Sequence, residues 1–107
     1  MTFFIKRNDT SPAMLATLID ADGNAVNITG ASVRFHMRPI GQSQNTVDAA
    51  AVIVTPLEGI VRYNWLAADT DVSGTYQAEF EVTYADASIE TFPNDKYIPV
   101  QITDDIA

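Results

Sequence analysis

The chain has 107 residues, 47% of them apolar and 19% charged, so it can bury a core as one domain and is not composed like a disordered segment. Its 14 acidic against 6 basic residues give a net charge of −8, which argues against binding a phosphate backbone and favours basic partners or cations. It has no cysteine, which excludes disulfides and thiolate metal sites and fits synthesis in a reducing cytoplasm. No apolar run nears the roughly 20 residues of a membrane span.

Taken in order, residues 3–7 (FFIKR) form the first expected strand. Their charges follow the apolar residues, the reverse of an export signal. Residues 13–19 (AMLATLI) are ambiguous by period. Pro12 and the turn DADGN at 20–24 bracket them tightly enough to expect a strand. Residues 25–29 (AVNIT) follow, and then Gly30. Residues 32–38 alternate cleanly, with Val33, Phe35 and Met37 inward and Arg34, His36 and Arg38 outward, until Pro39. Residues 40–48, which include Gln42 and Gln44, make the longest polar loop. Residues 49–55 (AAAVIVT) are one continuous apolar run, and the turn PLEG at 56–59 leads to Val61, Tyr63 and Trp65 alternating inward.

Residues 74–84 (GTYQAEFEVTY) carry the longest alternation, with Tyr76, Ala78, Phe80, Val82 and Tyr84 on one side and Gln77, Glu79, Glu81 and Thr83 on the other. A helix could not gather that set on one face. A Gly-x-Tyr start after the turn-rich residues 66–73 resembles the tyrosine corner of immunoglobulin-like sandwiches. Residues 85–87 turn into a strand at 88–92, and Pro93, Asn94 and Asp95 turn again. The last strand, 96–102, contains Pro99, which predicts an edge position. Some eight short strands at regular spacing spell an all-β, antiparallel, immunoglobulin-like sandwich in a single domain over residues 1–107.

No catalytic, cofactor or metal set emerges. His36 is the only histidine and is flanked on its strand by Arg34 and Arg38, whose fields disfavour a proton there. The 20–24 turn lacks the third spaced oxygen and the distal glutamate of a calcium loop, so its Asp and Asn are expected to bond local backbone. The turn at 69–71 reads the same way. Glu79, Glu81 and Glu90 project side by side and do not converge. If the 33–37 and 76–84 strands are neighbours, Arg34 and Arg38 can pair with Glu79 and Glu81. Trp65 and Tyr63 share the phase of Val61, which favours burial over a sugar platform. Phe3 and Phe4 are adjacent, so one of them must face away from the core.

Several phrases in order carry a family resemblance: FIKRNDT at 4–10, DG at 22–23, VNITGA at 26–31, VRFHMR at 33–38, GIVRYNW at 59–65, DT at 69–70, GTYQAEFEV at 74–82 and TFPNDKY at 91–97. The chain resembles the N-terminal, immunoglobulin-like domain of the tailed-phage baseplate upper protein family. The resemblance implies a non-enzymatic virion component that docks on other phage structural proteins of the tail or baseplate. In that family the domain anchors an adaptor, and segments after it lead to the receptor-binding protein. The chain shows no helical stalk after residue 102, so the expectation is a small standalone virion part, on the tail or on the capsid. A capsid decoration protein of the same fold is the first alternative, and a carbohydrate-binding module for host polysaccharide is the second. The expected interface residues are Phe3, Phe4, Gln42, Gln44 and Pro99. Homo-oligomers are compatible with this reading; nucleic acid and membrane partners are not expected.

Overall fold

The computed structural model describes residues 2–106. Nine strands form: β1 (Phe3–Lys6), β2 (Met14–Thr17), β3 (Ser32–Pro39), β4 (Val47–Ala50), β5 (Val52–Thr55), β6 (Ile60–Tyr63), β7 (Gly74–Thr83), β8 (Ile89–Phe92) and β9 (Ile98–Thr103), with 3-10 turns at Pro56–Glu58 and Ala67–Thr70. They build two sheets. Sheet A has the order β1-β9-β7-β3-β4 with β8 also on β7, and sheet B has the order β2-β6-β5. The chain is an all-β sandwich of the immunoglobulin-like kind.

The alternations of the sequence become the two inner faces. Val33, Phe35 and Met37 of β3 and Tyr76, Ala78, Phe80 and Val82 of β7 are all buried, in a register that sets Phe35 opposite Phe80. From sheet B come Met14, Val61 and Tyr63, with Trp65 and Leu18 just beyond the strands. Aromatic rings fill the centre: Phe35 stacks on Tyr63 at 4.3 Å, meets Trp65 edge-on at 5.6 Å and tilts against Phe80 at 5.1 Å. Offset and edge-to-face pairs of this kind add to the area they bury. The tyrosine corner forms, with Tyr76 Oη donating to the Val72 carbonyl at 2.5 Å.

Four expectations change. The sandwich is not wholly antiparallel, because β1 pairs in parallel with β9, Phe3 opposite Val100 and Lys6 opposite Thr103. Such a pair joins strands far apart in sequence, which no local pattern announces. As a result β9 is not an edge strand: it lies between β1 and β7. Pro99 is tolerated because the β1 ladder begins only at Val100, so at Pro99 itself only β7 flanks the strand. The apolar run at 49–55 is two strands. β4 belongs to sheet A and β5 to sheet B, and the chain changes sheet at Ala51, whose N–H bonds the Val33 carbonyl at 2.9 Å. The polar loop ends at Thr46, since Val47 is buried and opens β4. Residues 25–29 contribute a single bridge, Ala25 to Ile19, and a fully buried Ile28.

On its outer edge β7 has two successive partners. Residues 74–78 pair with β9 and residues 80–83 pair with β8, so residues 93–97 loop out opposite Glu79. At the sheet B end, Gly59 takes φ 63°, and a Cβ there would lie 2.6 Å from the Val26 carbonyl oxygen. Only glycine fits that approach.

Candidate docking surface

Polar side chains are concentrated on the outer face of sheet A, and they are consumed by one another. Arg34 Nε donates to Asp48 Oδ1 at 2.9 Å and its Nη2 to the Asp48 carbonyl at 2.8 Å. The Arg34 guanidinium holds the Asp48 carboxyl below the usual carboxylate range. His36 is half-buried between carboxylates, with Nε2 3.2 Å from Asp48 and Nδ1 3.4 Å from Glu79. Arg38 reaches Gln77 at 3.4 Å and the Tyr97 hydroxyl at 3.3 Å.

The expected neighbourhood of β3 and β7 is therefore correct, but the expected Arg34 and Arg38 pairs with Glu79 and Glu81 do not form. Arg34 turns to β4, where one carboxylate and one carbonyl satisfy its fork together. For the same reason Gln77, Glu79 and Glu81 are half-buried: cross-strand partners lie over them. Glu90 is taken by the Tyr84 hydroxyl at 2.7 Å and by Asn94 at 3.2 Å, so the three glutamates share no cleft.

The turns are structural. Asp20 Oδ1 accepts from the N–H groups of Asp22 and Asn24, at 2.9 and 3.0 Å. Asp69 Oδ2 accepts from the Tyr63 hydroxyl at 2.5 Å and the Leu66 N–H at 2.8 Å. Burial, followed by the Asp69 bond, raises the Tyr63 phenol well above its ordinary pKa; burial and the bond to Glu90 push Tyr84 up to about 12. Burial raises Tyr76 too, with Asp71 adding to it. Trp65 is 4% exposed and Tyr63 3%, so they offer no platform to a sugar and belong to the scaffold.

The expected interface residues separate into two places. Phe3 points inward at the rim of the core and stacks on Trp65 at 5.7 Å, while Phe4 points outward and is 67% exposed. Pro99 is exposed on the neighbouring strand, and with Phe4 it lies on the outer face of sheet A at its β1 end. Gln42 and Gln44 are exposed in the 40–46 loop, which leaves from β3. Three strand spacings, about 14 Å, separate β3 from β1, so the two glutamines are not part of the Phe4 patch.

Phe3 and Pro99 have other company. Together with Ile98 and Tyr97 they form one wall of a largely apolar groove whose opposite wall is β2, from Met14 to Thr17. Leu15 is 61% exposed. The sequence did not single out β2, because residues 13–19 lack a clean period. A tight bracket of Pro12 and Asp20 around a short, uncharged strand was the one available signal.

Comparison with known families decides the class. The BppU N-terminal domain model, that of the baseplate upper protein, matches residues 4–94. The chain belongs to the baseplate upper protein N-terminal domain family. That family is one of phage baseplate structural components, which makes the chain a virion component by class. A search of curated proteins finds no match. The match stops before β9, although β9 is paired on both sides and Val100 and Ile102 are fully buried.

Proposed function

We propose that the chain is a non-enzymatic structural part of a phage tail or baseplate, made in the bacterial host cytoplasm, which docks onto other virion proteins. The family match over residues 4–94 carries the reading. The side of the sandwich where β1 and β2 lie supports it, because exposed Leu15 and Pro99 line a groove there and Phe4 is exposed on the outer face of the adjoining β1, while the charged face of sheet A is satisfied internally. Exposed apolar residues gathered on one side are a feature of interaction surfaces. Each contact can be modest, since virion parts repeat around symmetry axes and many weak contacts hold together.

The test is to separate tails from heads of the encoding phage and to quantify the protein in each by mass spectrometry. The reading predicts it in the tail fraction. Recovery in heads alone would establish the decoration alternative, and absence from both would overturn the assignment.

A further inference from the structure

Sheet B stops at β2, and the edge it leaves is open. In the antiparallel ladder, Leu18 N–H bonds the Gly59 carbonyl at 2.8 Å, continuing the pairing of Met14 with Tyr63 and Ala16 with Val61. Residues 14, 16 and 18 therefore turn their backbone groups toward β6. By the period of two, the N–H and C=O of Leu15 and Thr17 point away from the sheet. Among the described residues no turn or loop backbone bonds either of them, β6 is the strand paired with β2, and both residues are exposed.

The other edges are blunted. β1 carries Lys6, β4 carries Asp48, β8 carries Glu90, and β5 is irregular, with a register shift between Ile53 and Thr55. Charges and bulges are the devices by which proteins keep edges from pairing. β2, with the sequence MLAT, has neither charge, proline nor bulge. It also fronts the apolar groove, where Phe3 and Ile98 of the larger sheet remain only half-buried. Three strands do not cover the inner face that six present.

We propose that β2 receives an extended segment of a different virion polypeptide as a fourth strand of sheet B, with alternate small or apolar side chains of that segment filling the groove over Phe3 and Ile98. The proposal rests on the docking reading above and names the kind of partner. Only an extended backbone supplies a donor and an acceptor at the spacing of Leu15 and Thr17, which is the chemistry of strand addition. A second copy of this chain fits less well, because two molecules of net charge −8 repel on approach.

Amide hydrogen exchange in the free protein and in assembled particles tests it. In the free protein, Leu15 and Thr17 should exchange fast and Ala16 and Leu18 slowly. In particles, Leu15 and Thr17 should slow by at least about tenfold, as newly bonded amides do. Fast exchange at both positions in particles that contain the protein overturns strand addition and leaves docking intact. Absence of the protein from particles overturns both. Protection in the free protein that grows with concentration, together with a dimer in sedimentation, overturns the choice of a different polypeptide. As a second route, Thr17→Pro removes only an outward N–H and should fold as a monomer but lose at least about tenfold in incorporation, whereas Thr17→Val should incorporate normally. Equal incorporation of the two variants contradicts the proposal.

Discussion

β7 and β2 lie in opposite sheets and in opposite situations. β7 has neighbours on both sides along its length, β3 on one edge and β9 then β8 on the other, and four of its inward residues are buried. β2 has four residues and, among the described residues, one neighbouring strand and outward backbone groups that no turn or loop backbone bonds. The fold is held from β7; what is left unsatisfied gathers at β2 and at the nearby end of β1. A structural part of a larger particle benefits from that division, since substitutions at the contact surface need not threaten the core.

The sharpest way to break the comparison is Phe80→Ala. Phe80 is fully buried against Phe35, so its removal should cost about 3–5 kcal/mol in denaturant unfolding. A cost below about 1 kcal/mol, typical of surface sites, would show that β7 is not the keystone. Smaller but still measurable is Tyr76→Phe, which deletes the hydroxyl bonded to the Val72 carbonyl and should cost about 1 kcal/mol.

The three raised phenols give the same core a pH signature. Tyr63, Tyr76 and Tyr84 hold their protons more tightly folded than unfolded. Above about pH 10 the unfolded chain ionises first, binds fewer protons than the native state, and is favoured. The contribution of these phenols should therefore be level below about pH 10, stability should fall as pH rises toward 12, and Tyr63→Phe should make that fall shallower. A flat profile to pH 12 would contradict the burial of these hydroxyls. The smallest effect belongs to the outer face: Glu79→Gln, which loosens a 3.4 Å contact to His36, should cost about 0.5 kcal/mol or less.

What the sequence reveals follows from how local each feature is. Val33 to Met37, Val61 to Trp65 and Tyr76 to Val82 declare their inner faces by period alone, and Gly74, Tyr76 and the turn before them foretell the tyrosine corner. Pairing between distant strands has no such signature. The parallel β1–β9 pair, the change of sheet at Ala51 and the preference of Arg34 for Asp48 all depend on which strand arrives next to which. The candidate surface was legible in the same partial way. Adjacent Phe3 and Phe4 guarantee one exposed ring, yet only the register against Val100 and Gln101 settles that it is Phe4. Leu15 and Thr17 were hidden, because an unpaired edge is defined by a neighbour that never comes.

On the proposed reading, stability resides in the β3–β7 centre and docking on the β1–β2 side. The most direct test is incorporation of a Phe4→Ser variant into particles, alongside its thermal melt. Phe4 is largely exposed, so the variant should melt as the natural protein does and yet incorporate at least about tenfold less, the scale of losing one aromatic anchor at an interface. A folded Phe4→Ser protein found in particles at the natural level would contradict the claim.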